Sequence, residues 1–217
     1  MNSFANSLIF ILLCINISAQ SISVPYTNSF DSFGDDLGWS HYAFYGNDDW
    51  ELGAPGKTYF TSAHSTSNAW VTKLTGNATS NSQSVLETPF FDLSNLSTNY
   101  CLSFYQKRHN SFNNNSYTLE YSYNGSTWSL LNPVTIYKSN WQTASGFTNS
   151  NQNFYEYSSI RLTSLQGQDS VKFRFRFTAG SGNALEGWII DDFSITPEYT
   201  NLYATQGSTI RGVTKYF

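Results

Sequence analysis

Val171-Lys-Phe-Arg-Phe-Arg-Phe177 alternates without a break. At a period of two, Val171, Phe173, Phe175 and Phe177 share one side, and Lys172, Arg174 and Arg176 share the other. A helix would scatter both sets around its circumference, so this stretch is a β-strand with one face in a core. Similar alternation recurs at residues 69–74, 85–88, 100–107, 117–122, 127–131, 155–162 and 187–196. Clusters of Gly, Asn and Ser separate these segments at the short intervals of a sandwich or barrel. Asn124-Gly125 predicts a type I′ hairpin turn, because both residues tolerate positive φ. No ten-residue stretch carries a helical stripe, and no internal repeat is present. The expected fold is all-β, a two-sheet antiparallel jelly-roll sandwich.

Composition agrees with a packed β domain. Six Trp, 15 Tyr and 17 Phe among 217 residues are too many rings for a disordered chain. Eleven basic and 15 acidic residues are too few charges for a coiled coil. A net charge of −4 with no basic block excludes a phosphate backbone as partner.

The expected organisation has three parts: a signal peptide over residues 1–20, one domain over 21–196, and a polar tail, or the start of a truncated module, over 197–217. Leu8 to Ile17 has the length of a signal-peptide core and is too short to span a bilayer, although no Lys or Arg precedes it. Cleavage after Ala19 or Gln20 would deliver the chain outside the cell, with no transmembrane anchor, and leave Cys101 as its one cysteine. A lone cysteine makes no internal disulfide, so core packing must supply stability. Cys101 is expected to fill a buried strand position.

The sequence carries none of the common catalytic motifs. There is no His-Glu-x-x-His, no Gly-x-Ser-x-Gly and no phosphate-cradling loop. His41, His64 and His109 stand far apart in sequence. Asp35-Asp36, Asp48-Asp49 and Asp191-Asp192 are adjacent pairs, which in a strand point to opposite faces and make no glycosidase dyad alone. Acids from two strands could still meet, which keeps a sugar hydrolase as an alternative. A calcium site suits these carboxylates better. Asp31, Asp35 and Asp36 precede the first strands and Asp191 and Asp192 lie in the last, so a sandwich with neighbouring first and last strands would gather them for a cation that takes six to eight oxygens.

Taken in order, several segments resemble the MAM-type, concanavalin-like jelly-roll modules of secreted and surface proteins of Bacteroidetes. They are Phe30-Asp31 before Gly38-Trp39, Trp50-Glu-Leu-Gly-Ala-Pro55, Ala69-Trp-Val-Thr72, Leu86-Glu-Thr-Pro-Phe-Phe-Asp-Leu93, Leu102-Ser-Phe104, Tyr121-Ser-Tyr-Asn-Gly-Ser-Thr-Trp128, Val171 to Phe177, and Gly187-Trp-Ile-Ile-Asp-Asp-Phe-Ser-Ile195. The series covers roughly residues 24–196. The resemblance implies adhesion or accessory binding rather than catalysis, and a metal site at Asp31, Asp191 and Asp192. The disulfides of animal MAM domains are absent.

Trp39, Trp50, Trp70, Trp128 and Trp188 fall in these segments and are expected in the core. Trp141 and the loop from His109 to Tyr117 remain for surface contact, since loops carry recognition in sandwiches. Arg174 and Arg176, with Lys172, form a cationic row that would suit an acidic glycan. The expected ligand-binding residues are thus Trp141, His109, Arg174 and Arg176, the expected ion is Ca2+, and the expected partner is an extracellular glycan or a cell-surface protein. The expected function is a secreted or cell-surface, non-catalytic adhesion or glycan-binding module, with a polysaccharide hydrolase, or an accessory domain of one, and a structural spacer as alternatives.

Overall fold

A computed structural model describes residues 20–110, 115–133, 137–148 and 150–198. The expected signal peptide, apart from Gln20, and the tail beyond residue 198 lie outside the described residues. Among the described residues thirteen strands run in chain order: β1 (Ile22–Ser23), β2 (Tyr26–Asn28), β3 (Ser40–Tyr45), β4 (Trp50–Gly53), β5 (Ala69–Thr72), β6 (Ser82–Asp92), β7 (Tyr100–His109), β8 (Asn115–Ser122), β9 (Ser129–Leu130), β10 (Lys138–Ser139), β11 (Glu156–Arg161), β12 (Val171–Ala179) and β13 (Gly187–Pro197). One 3₁₀ turn, Thr163–Leu165, is the sole helical element among the described residues.

Two sheets face each other, as expected of a jelly-roll sandwich. One orders its strands β1-β6-β12-β8-β9, with β3 also on β6; the other orders them β10-β11-β7-β13-β5-β4, with β2 also on β13. All pairs are antiparallel except β1 with β6. The inward residues of β12 meet those of the facing sheet: Phe175 packs edge-on to Phe104 at 5.0 Å and to Trp188 at 5.5 Å. Fully burying a ring contributes about 2 kcal/mol, and Phe173, Phe175, Phe177, Phe91, Phe104, Phe193 and Trp188 are all wholly buried. This core holds the domain without a disulfide, since Cys101 is free. Cys101 itself is only half-buried, because Leu102 and Phe104 take the inward positions of β7.

Besides a register shift of β3 on β6 between Ala43 and Tyr45, two irregularities shape the sheets. Pro89 has no N–H to give to a ladder, and the β6–β12 register shifts there, with the Thr88 hydroxyl accepting from Phe173 N at 3.0 Å. The second shift lies in β13 between Asp191 and Ser194, where Asp192 takes φ 48°, a conformation that Asp tolerates better than most residues.

The turn at Asn124-Gly125 departs from the expected type I′. Gly125 has φ 70°, but Asn124 is not among the residues with positive φ. Its side-chain oxygen instead accepts from the amides of Ser126 and Thr127, each at 2.9 Å, and stabilises a wider turn. Trp39, Trp50, Trp70 and Trp188 are buried as expected. Trp128 is the exception and stands on the outer face of its sheet, with the Arg174 guanidinium 4.1 Å from its ring centroid.

Candidate binding face on the seven-stranded sheet

The outer face of the seven-stranded sheet is partly covered by a strap, residues 54–68, that joins β4 to β5. Phe60 and Ala63 of the strap pack on Ala69, Val71 and Ile189 in a small second core. Four anchors fix it. Lys57 Nζ donates to Thr72 O at 2.6 Å and to Glu186 O at 2.8 Å. The Glu186 carboxylate accepts from the amides of Tyr59 and Phe60 at 2.8 and 2.7 Å. Asp191 accepts from His64 N and Ser65 N at 2.8 and 2.9 Å. Asp31 accepts from Ser67 N and Asn68 N, both at 2.9 Å, and from the Thr66 hydroxyl at 3.1 Å.

Burial pulls Lys57 down to about 8, against the opposing charges of Glu186 and Asp49. Because the folded pKa lies below the ordinary 10.5, the unfolded chain holds more proton between the two values, and stability from this group rises with pH. Stability should therefore rise by about 1–2 kcal/mol between pH 8 and 9.5, read as a higher thermal midpoint. Lys57→Met, which cannot titrate, should lack that gain; equal pH profiles for the two proteins would contradict it.

Beside the strap stands a shelf of rings. Among the outward residues of β7 are Tyr105, Lys107 and His109, and among those of β11 and the residues before it are Tyr155 and Tyr157. His64 stacks on Tyr105 with centroids 3.5 Å apart, and Tyr105 lies 5.2 Å from Tyr157. Tyr155 donates its hydroxyl to Ser62 O at 2.8 Å. Lys107 Nζ sits between 5.2 and 5.9 Å from the rings of Tyr59, Tyr155 and Phe60. Tyr157 is 44% exposed, so its ring is open to a ligand. Next to the shelf the floor is made of small hydroxyl residues: Ser103 pairs across the strands with Ser159 and Ser194, and its Oγ meets Ser194 Oγ at 2.7 Å. The floor runs into a cavity of about 410 Å³ lined by Thr27, Asn28, Ser29, Ser32, Asp35, Asp192, Phe193 and Ser194.

The sequence-predicted residues divide among separate places. Adjacent Asp191 and Asp192 were expected on opposite faces, but the β13 bulge turns both toward His64, whose Nδ1 lies 2.5 Å from Asp192 Oδ2. Asp31 meets the same strap, because β2 pairs with β13. Burial pushes Asp191 up to about 6, the Ser65 amide opposing and the Asp192 charge adding to the rise. Burial also acts upward on Asp31, but the Asn68 and Ser67 amides and the Ser65 and Thr66 hydroxyls together hold it well below the carboxylate range.

These carboxylates already face N–H and O–H donors, and among the described residues no three His, Cys, Asp or Glu side chains group to hold a metal ion. As placed, Asp31, Asp191 and Asp192 do not fit the expected shared calcium. Thermal midpoints in EDTA and in millimolar calcium should therefore coincide; a rise of several degrees with calcium would show an ion taking those hydrogen-bonding positions.

Trp141, expected at the surface, is partly buried against the core: its ring packs edge-on to Phe104 and Phe147 at 5.9 and 5.8 Å, and Nε1 donates to Leu131 O at 2.7 Å. Arg174 and Arg176 lie on the opposite sheet, where both pair with Glu120 at 2.5 and 2.7 Å while Lys172 pairs with Glu87 at 2.6 Å. Each cation of that row is thus paired with a neighbour, three cations sharing two carboxylates. Of the four expected ligand-binding residues only His109 belongs to the ring shelf, stacked on Tyr59 at 4.0 Å; residues 111–114 of the loop after it lie outside the described residues. The tyrosines were missed, although their signal was present: once Leu102 and Phe104 face inward, alternation puts Tyr105 outside.

A chemical reading of His64, Ser65 and Asp191 as a catalytic triad fails on geometry. Ser65 Oγ lies 3.1 Å from Asp191 and from Ser29 O, while His64 Nδ1 faces Asp192, so hydroxyl and imidazole do not form a nucleophile–base pair.

Reelin subrepeat B is the family that matches, over residues 72–196. No curated protein matches in sequence. Among solved structures, the K1 cleaved adhesin domain of Lys-gingipain from Porphyromonas gingivalis W83 is similar at 12% identity and TM-score 0.50, over 80% of this chain and 98% of that one. TmCBM61, solved with β-1,4-galactotriose, is similar at 14% identity and TM-score 0.46, over 79% and 99%. The CBM22-1 xylan-binding domain of Xyn10C from Paenibacillus barcinonensis is similar at 13% identity and TM-score 0.42, over 83% and 97%.

Proposed function

The chain belongs to the Reelin subrepeat B family, and on that β-sandwich frame we propose that it is a non-catalytic glycan-binding module that works outside the cell. The shelf of Tyr105 and Tyr157 carries this reading. Sugars present C–H faces that pack on flat rings and hydroxyls that exchange hydrogen bonds with polar side chains, and here an open tyrosine adjoins a serine floor. Binding sites of this kind combine an apolar or aromatic platform with a few placed polar groups. Export by the segment Leu8 to Ile17 supplies the extracellular setting, and attachment to surface glycans supplies the adhesion. Calcium has no part in this reading.

Catalysis is not invoked, because Asp31, Asp191 and Glu186 are engaged in holding the strap. The experiment is a glycan array probed with the secreted chain, followed by incubation with every bound polysaccharide. Reproducible binding without turnover is expected. Turnover abolished by one carboxylate substitution would establish a hydrolase, and no binding would favour a spacer.

A further inference from the structure

The cavity at the β2 end of the face adds a charge preference to the site, an inference that rests on the glycan-binding reading above. Its lining holds two carboxylates, Asp35 and Asp192, among the hydroxyl residues Thr27, Ser29, Ser32 and Ser194, and no Lys or Arg. Each carboxylate has one oxygen engaged: Asp35 Oδ2 accepts from Ser32 N at 2.8 Å, and Asp192 Oδ2 meets His64 Nδ1. The second oxygen of each has no donor among the described residues. An ionised carboxylate only accepts hydrogen bonds, so it needs hydroxyl protons from whatever fills the cavity.

We infer that this cavity selects uncharged sugars over uronic acids and sulfated glycans. A neutral sugar supplies hydroxyl donors to both acids, and charge-assisted bonds of that kind are stronger than neutral ones. An acidic sugar places a third negative charge beside them with no Lys or Arg in the lining to meet it, and like charges across an interface act against the wrong partner. The cationic row of Lys172, Arg174 and Arg176 cannot compensate, because it lies on the other sheet and is already paired with Glu87 and Glu120.

Affinity electrophoresis tests this with matched neutral and acidic polymers: galactan and polygalacturonate, arabinoxylan and glucuronoxylan, hydroxyethylcellulose and carboxymethylcellulose. The wild type should be retarded at least tenfold more strongly by the neutral member of any pair it recognises. Asp35→Asn with Asp192→Asn should bring the ratio to within about threefold, since Asn keeps the shape and also accepts the φ of 48° at position 192. An unchanged melting midpoint confirms that the double variant is folded. Tyr157→Ala should weaken both members alike. Equal or stronger binding of acidic polymers that still needs Tyr157 would overturn the charge preference and leave the glycan reading standing, as would an unchanged ratio in the double variant. Binding to none of the polymers would overturn both.

Discussion

Replacing Glu186 by Ala is expected to lower the melting midpoint by about 10 °C. Glu186 is 5% exposed, and its two oxygens take the amides of Tyr59 and Phe60. Without it both donors stay under the strap with no partner, at about 1–3 kcal/mol each. Lys57, whose largest favourable charge is Glu186, becomes a buried cation with less compensation. A loss of about 3–5 kcal/mol in a domain of this size moves the midpoint by about 2–4 °C per kcal/mol. Glu186→Gln, which keeps one acceptor oxygen and the side-chain volume, should lose about half as much. Circular dichroism melts check both. A midpoint unchanged in Glu186→Ala would show that the strap melts apart from the sandwich.

The tyrosine shelf should show the opposite profile, a large loss of binding with little loss of stability. Tyr157→Ala removes an exposed ring, and surface truncations change stability by about 0.5 kcal/mol or less. In binding, truncation of a central aromatic costs about 2 kcal/mol or more, so affinity for a recognised glycan should fall by about 10- to 100-fold. Tyr157→Phe should bind nearly as well as the wild type, because the ring face carries the contact. Tyr105→Ala should lose binding as well, and in addition leaves His64 without the ring it stacks on. Titration calorimetry on all three variants checks this, and retained affinity in Tyr157→Ala would remove the shelf from the site.

The fold was legible where one face of a strand packs in the core and the other carries polar residues. In β12 apolar residues alternate for that reason, and the periodicity alone identifies the strand. β3 was not legible, since five of its six residues are exposed on a sheet edge and carry no alternation. The strap was not legible either. What makes it a structure rather than a loop is pairing with Glu186 and Asp191, more than 120 residues further along the chain. Hydrogen bonds at that separation leave no local pattern.

The candidate site was missed for a related reason. Tryptophan is the largest ring, and a reading that seeks exposed rings by size selects Trp141, whose ring is partly buried against the core. Tyr105 and Tyr157 look ordinary until the β7–β11 register sets them opposite each other. The pair Asp191-Asp192 shows how one bulge changes a prediction, because an extra residue in β13 brings two acids together that regular pleating would separate.

The placement of the site is tested most directly by following backbone amide resonances while an oligosaccharide that binds on the array is titrated in. Binding at the outer face of the seven-stranded sheet predicts that the largest shifts fall on Tyr105, Tyr157, Ser159 and Ser194, with those of Arg174, Arg176 and Glu120 unmoved. Shifts concentrated on Arg174, Arg176 and Glu120, with the tyrosine shelf silent, would contradict it and put recognition on the opposite sheet.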